Sequence, residues 1–201
     1  MYDPILDALR RGAVAEALTA ADALVAERPD DPQALRWLST SQMQAGQPDA
    51  ALATIDRAIA LAPDNADLHL ARAGVLVGSR RNEDAQAALS QATVLDPNQF
   101  TAYVIQGQLA LGRGDLDEAE RLSRLAGRVA PDHPQLAAID GMVALRRGNA
   151  NDALKIVSAA LQQAPDDVQL RYALGFIHMA LGHWAFAEQA FRGVIEKVPG
   201  S

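Results

Sequence analysis

Prolines recur along this chain of 201 residues at a constant interval of 34 residues. Proline ends a helix because it lacks an amide hydrogen and disfavours helical geometry in the residue before it. The interval therefore predicts six repeats, each closed by a proline. These prolines are Pro29, Pro63, Pro97, Pro131, Pro165 and Pro199.

Two further columns of residues share this interval. In one column, a set of positions 34 residues apart, every residue is alanine. This predicts that helices pack closely there, because the alanine side chain is a single methyl group. The column comprises Ala17, Ala51, Ala85, Ala119, Ala153 and Ala187. A glycine column predicts a turn, because glycine tolerates left-handed backbone angles. It comprises Gly12, Gly46, Gly114, Gly148 and Gly182, and Arg80 takes its place in the third repeat. Each repeat is therefore predicted to be a helix, a glycine turn, a second helix and a proline.

Composition favours closely packed helices and excludes several chemistries. The chain has only two Trp, three Tyr and four Phe, and it has no cysteine. A disulfide scaffold, a cysteine zinc site and a cysteine nucleophile are therefore excluded. The net charge of −7 argues against nucleic acid as a partner, because binding phosphates requires a basic surface.

No catalytic or metal site is predicted from the motifs. Of the four histidines only His178 and His183 are near neighbours in sequence, and no cysteine or paired acid completes a metal site there. No phosphate loop, nucleophile elbow or dinucleotide fingerprint is present. We therefore expect a protein without enzymatic activity, metal or cofactor.

The pattern resembles the tetratricopeptide repeat (TPR) family, whose unit is 34 residues with a small residue in the first helix, alanine in the second and a closing proline. The resemblance covers residues 1–201 and implies an all-α, right-handed superhelical solenoid of six stacked helix-turn-helix units in a single domain. The expected repeats span residues 1–31, 32–65, 66–99, 100–133, 134–167 and 168–201. Ala137 and Ala144 illustrate how the family's large aromatic columns are replaced here.

In this family the first helices line a concave groove, and the matching columns are more apolar than a solvated surface. A continuous apolar surface is typical of a partner site. The resemblance therefore implies a protein–protein interaction scaffold that binds a peptide or helix of a partner; the alternative is that these side chains only pack on the next repeat. The predicted groove residues are Arg36, Thr40, Met43, Leu70, Val77, Val104, Gln108, Leu111, Met142, Leu145, Arg146, Tyr172, Phe176 and Met179.

The groove of some family members holds a peptide's terminal carboxylate in a clamp that includes lysines. The matching columns here contain no lysine, and the only lysines, Lys155 and Lys197, are predicted on second helices. An apolar helix or extended segment is therefore the expected guest.

Two other groups of residues depart from the repeat pattern. Polar side chains replace apolar ones in the middle of the chain, which predicts either a polar recognition patch or a satisfied internal network. That group comprises His69, Arg72, Tyr103, Gln106 and Asp140. In the last repeat Phe186 stands where other repeats carry acids, which predicts a contact face for a further domain or a second copy, or extra core aromatics.

The setting of the chain is inferred from its first residues and its composition. The charged first thirty residues do not resemble a signal peptide, so a cytoplasmic protein without membrane insertion is expected. The excess of arginine over lysine and the many alanines favour a bacterial source. Two alternatives remain open: a recognition or assembly segment of a larger bacterial enzyme or secretion factor, and a homo-oligomeric scaffold that associates through its last repeat.

Overall fold

The computed structural model describes residues 2–197, and this part of the chain contains twelve α-helices and no strand. The helices are α1 Asp3–Arg10, α2 Val14–Glu27, α3 Pro32–Gln44, α4 Pro48–Leu61, α5 Ala66–Gly78, α6 Asn82–Leu95, α7 Phe100–Arg113, α8 Leu116–Val129, α9 Pro134–Arg146, α10 Ala150–Gln163, α11 Val168–Ala180 and α12 Trp184–Lys197. The all-α prediction and the order of two helices per repeat are confirmed. Pro199, the last of the recurring prolines, lies outside the described residues.

The helices pack in the order that a solenoid requires. First helices pack on the second helices of their own repeat, as α3 does on α4, α9 on α10 and α11 on α12. Second helices pack on the first helix that follows, as α4 does on α5 and α10 on α11. The right-handed sense of the superhelix stays a prediction.

The chain divides into two compact units, Met1–Ala102 and Tyr103–Ser201, called here the N-terminal and C-terminal units. The core of the N-terminal unit is built on large buried side chains such as Ile5, Leu35 and Ile55. The core of the C-terminal unit surrounds Val157, Leu170 and Ile177. None of the described helices combines the length and the apolar character needed to cross a membrane.

The alanine and glycine columns have the roles that the sequence predicts. The alanines of the first five repeats are fully buried, and Ala187 is only 3% exposed. The five turn glycines have φ between 68° and 86°. Arg80, which replaces glycine in the third repeat, takes the same left-handed conformation with φ 59°.

Side chains before the first helices satisfy amide hydrogens that a helix start leaves unpaired. Asp31 accepts hydrogen bonds from the amides of Gln33 and Ala34 at the start of α3. Asn65 and Asp167 do the same at the starts of α5 and α11. These caps fix where the first helices begin and so fix which of their side chains share a face.

Candidate functional site

Five predicted groove residues of the C-terminal unit line one cleft of about 310 Å³. They are Gln108, Leu111, Met142, Arg146 and Tyr172. The remaining lining residues are Gly112, Ala138, Ile139, Gln169 and Ala173. All ten lie on α7, α9 and α11, which are first helices, as the predicted groove requires. We call this feature the groove cleft.

The floor of the groove cleft is apolar and buried. Leu111 is 8% exposed, and Ile139 and Ala173 are each 1% exposed. Met142 is half-buried and packs against the core of the C-terminal unit. Because these side chains are held by the core, the floor has its shape before any partner arrives.

The rim of the groove cleft is exposed and mostly polar. Gln108 and Gln169 face solvent, and the Tyr172 ring is 48% exposed. Arg146, on the last turn of α9, donates a hydrogen bond from its guanidinium to the carbonyl oxygen of Leu111 near the end of α7. Among the described residues Arg146 forms no ion pair, so its charge stays available at the rim.

The other predicted groove residues of the C-terminal unit do not line the groove cleft. Val104 is buried and is not among the residues that line the groove cleft. Leu145 is half-buried against the unit's core, and Met179 is 42% exposed beyond the cleft. Phe176 is half-buried, does not line the cleft, and meets the Phe191 ring edge-to-face with centroids 5.4 Å apart.

The predicted groove residues of the N-terminal unit are all half-buried: Arg36, Thr40, Met43, Leu70 and Val77. The Arg36 guanidinium donates a hydrogen bond to the Gln33 side chain, and its Cζ lies 4.3 Å from the ring centroid of Trp37. Burial lowers the pKa of Arg36 from its ordinary value, and the nearby Asp67 opposes this change. The Met43 side chain covers Gly78, since its Cε would stand 2.5 Å from a Cβ at that position.

Two of the predicted polar residues, Arg72 and His69, have partners within the N-terminal unit. In the N-terminal unit Arg72 donates to Asp56 at 2.7 Å, and a ring nitrogen of His69 lies 2.8 Å from the carbonyl oxygen of Pro63. In the C-terminal unit Tyr103 is half-buried and Gln106 is 5% exposed. These contacts fit a satisfied network, and a recognition role for the patch stays a prediction.

Asp140 faces a different side of α9 from the groove cleft. It lines a cleft of about 260 Å³ with residues of α10 and a cleft of about 330 Å³ with residues of α8 and α10. Neither shares a lining residue with the groove cleft. Burial raises the pKa of Asp140; a hydrogen bond with Ser123 opposes the rise, Glu120 adds to it and Arg124 opposes it.

Exposed aromatic side chains surround the turn of the sixth repeat. Phe186 is 60% exposed and stacks on the His178 ring with centroids 5.3 Å apart, while Trp184 is 68% exposed. Burial and then the charge of His183 lower the pKa of His178 from its ordinary value. Phe186 is therefore a surface residue of this structure and not an additional core aromatic.

The list of predicted groove residues leaves out half of the lining of the groove cleft, although one of the omitted residues, Ala138, stands in the same 34-residue column as Val104 and Tyr172. Gln169 was missed although it lies three residues before Tyr172, and this spacing places both on one face of α11. Gly112, Ala138, Ile139 and Ala173 are small or core residues that a search for conspicuous surface side chains passes over. Their contribution is the space and the apolar floor.

A family model of the tetratricopeptide repeat matches residues 8–75, 42–104 and 144–201. The chain belongs to the tetratricopeptide repeat family. TPR proteins generally bind protein partners and are generally non-catalytic, so this chain has the fold of a protein–protein interaction scaffold. A search of curated protein sequences found no match.

Solved structures with the same fold include other TPR proteins. The chain is similar to a chain of the APC/C hetero-tetramer Cut9–Hcn1, with a TM-score of 0.85 and 14% sequence identity. The match covers 98% of this TPR chain and 39% of the other chain. It is also similar to TTC0263, a thermophilic TPR protein of Thermus thermophilus, with a TM-score of 0.72 and 25% identity over 88% of this chain and 95% of the other.

A third similar structure is YrrB, described as a TPR protein with an unusual peptide-binding site. Its TM-score is 0.62, with 17% identity over 92% of this chain and 95% of YrrB. At this identity the likeness concerns the fold.

Proposed function

We propose that this TPR chain binds an apolar peptide or helix of a partner protein in the groove cleft and catalyses no reaction. The observation that carries the proposal is the cleft itself: a buried apolar floor with an exposed polar rim, built from three successive first helices. Ligand sites commonly combine an apolar lining with a few polar groups that fix orientation. YrrB supports the proposal as an example of a peptide-binding protein with this fold.

The floor supplies the affinity in this proposal. Leu111, Ile139 and Ala173 are buried and already fixed by core packing, so an apolar side chain of the guest enters a cleft that needs no ordering. The thioether of Met142 adapts its shape to different guests. The half-exposed Tyr172 ring is the aromatic anchor, and such rings dominate many interfaces.

The rim supplies the orientation of the guest. The side-chain amides of Gln108 and Gln169 each donate and accept hydrogen bonds, so they match the backbone groups of an extended peptide or of a helix end. Arg146 is tied to the Leu111 carbonyl, and this contact holds its charge at one end of the cleft. A guest with an acceptor at that end is therefore favoured.

Peptides selected from a random library for binding to the whole chain provide the test. Replacing Tyr172 by alanine removes the anchor, and we expect the dissociation constant of the selected peptides to rise at least about tenfold. Val94→Ala is the matched control, because Val94 is 73% exposed on α6 and is not one of the residues that line the cleft. Equal affinities for the parent and Tyr172→Ala, with both folded by circular dichroism, would contradict the proposal.

A further inference from the structure

Two histidines meet across the turn of the sixth repeat. His178 lies in the last turns of α11, and His183 immediately precedes α12. Their Nδ1 atoms are 3.4 Å apart and their ring centroids 5.6 Å apart. At the same two positions the fifth repeat carries Ala144 and Asn149, and no earlier repeat carries a histidine at either position. The general TPR architecture therefore does not account for the pair.

The separation of the two nitrogens suits a shared metal ion better than a direct hydrogen bond. Two imidazole nitrogens bound to tetrahedral zinc at 2.0–2.1 Å stand roughly 3.3–3.4 Å apart. The donor–acceptor distance in N–H···O hydrogen bonds of proteins is usually shorter, about 2.7–3.2 Å. Imidazole is also a preferred ligand of zinc, copper and nickel.

One chain alone does not complete such a site. Within residues 2–197 no group of three or more His, Cys, Asp or Glu side chains is placed to hold a metal ion. Structural zinc is almost always bound by four ligands. The pair therefore supplies two of the four ligands of such a site.

We propose that one zinc ion is bound by His178 and His183 of this chain together with the same two histidines of a second copy. A twofold interface presents the same surface on both subunits, so two histidines from each copy make four nitrogen ligands. The second copy is thus defined by the chemistry of the site, which is half complete in each chain.

The surface around the histidines fits this contact. Phe186 stacks on His178 and is 60% exposed, and Trp184, the residue after His183, is 68% exposed. Exposed aromatic clusters of this kind usually mark an interaction site, and a symmetric dimer would cover them. A dication at the contact also offsets part of the repulsion between two chains that each carry a net charge of −7.

Light scattering of the whole chain in the presence of zinc or of a chelator tests the proposal. We expect a dimer with one zinc ion per two chains, and a monomer once the chelator removes the zinc. His178→Gln and His183→Asn should each remain monomeric in zinc. These substitutions introduce the residue types that other repeats carry at the same positions, Gln42 and Asn149, so the fold is retained.

Two histidines elsewhere in the chain provide matched controls. His69 contacts the carbonyl of Pro63, and His133 accepts a hydrogen bond from the amide of Gln135. His69→Ala and His133→Ala should dimerise with zinc as the parent does. Three results would overturn the proposal: a parent chain that stays monomeric in zinc, a monomer that binds one zinc per chain, or a zinc-dependent dimer that persists in both His178→Gln and His183→Asn.

Discussion

Arg80 carries backbone strain that the five glycine turns avoid. Its φ of 59° lies in the left-handed region, where a Cβ costs roughly 1–2 kcal/mol. We expect Arg80→Gly to raise the free energy of unfolding by about 0.5–1 kcal/mol, because the greater freedom of glycine in the unfolded chain offsets part of the gain. Urea unfolding followed by circular dichroism measures the change.

The turn of the second repeat offers the reverse substitution as a control. Gly46 has φ 72°, and no heavy atom lies within 4 Å of the place where a Cβ would stand. Gly46→Ala therefore tests the backbone alone and should lower the free energy of unfolding by about 1 kcal/mol. The prediction is contradicted if Gly46→Ala lowers the free energy of unfolding but Arg80→Gly does not raise it. In that case the Arg80 side chain stabilises the fold by more than its backbone strain costs.

Asp140 makes the stability of the C-terminal unit fall as the pH rises, which is the opposite of the effect of an ion-paired carboxylate. Burial raises its pKa above the ordinary value, so the folded protein holds the proton more tightly than the unfolded chain does. Its contribution to stability is therefore fully present below the ordinary pKa of an aspartate, and it is lost as the pH rises through the raised pKa. We expect Asp140→Asn to unfold at a higher temperature than the parent at neutral pH.

The difference in unfolding temperature between Asp140→Asn and the parent should depend on pH. The advantage of Asp140→Asn should shrink as the pH falls through the raised pKa and should vanish near the ordinary pKa of aspartate. Asp22→Asn removes an exposed carboxylate from α2 and is the control for a simple change in net charge. A difference that is independent of pH, or one that Asp22→Asn reproduces, would contradict the role given to burial.

Helices α11 and α12 approach each other closely at Gly175. A Cβ on Gly175 would stand 2.5 Å from the Cε1 and Cζ atoms of Phe191, whose ring also contacts Phe176 and Tyr172. Gly175→Ala must displace that ring, so we expect it to lower the free energy of unfolding by about 1–3 kcal/mol in urea.

Gly74 is the control for Gly175, because it also lies within the first helix of a repeat. It is exposed inside α5, and nothing lies within 4 Å of a Cβ at that position. Gly74→Ala should raise the free energy of unfolding by about 0.5–1 kcal/mol, because alanine favours the helix. If both substitutions stabilised the protein, the close approach of Phe191 to α11 would be wrong.

The elements could be predicted from the sequence more completely than the site. A proline, a glycine and an alanine column fix the twelve helices of the described residues, because each residue acts on its own stretch of backbone. The availability of a side chain depends on what a neighbouring helix carries. Val104 belongs to a groove column and is nonetheless buried, whereas Gln169 belongs to none and lines the groove cleft.

For the molecule as a whole, fold and interaction surface follow from different properties of the sequence. The 34-residue period specifies the TPR fold throughout the chain and carries no information about a partner. The groove cleft arises where small residues such as Gly112, Ala138 and Ala173 leave space between α7, α9 and α11. Such a space depends on the placement of three helices to within about an ångström, which no single column of residues specifies.

Site-specific photocrosslinking in the source cell tests the central claim most directly. A photoreactive residue replaces Gln108 or Gln169 at the rim of the groove cleft, and matched controls replace Gln91 or Gln162, which are exposed on the second helices α6 and α10. The proposal predicts a crosslinked partner protein from Gln108 and Gln169 and none from Gln91 and Gln162. Crosslinks that arise equally from all four positions, or only from the second helices, would contradict it.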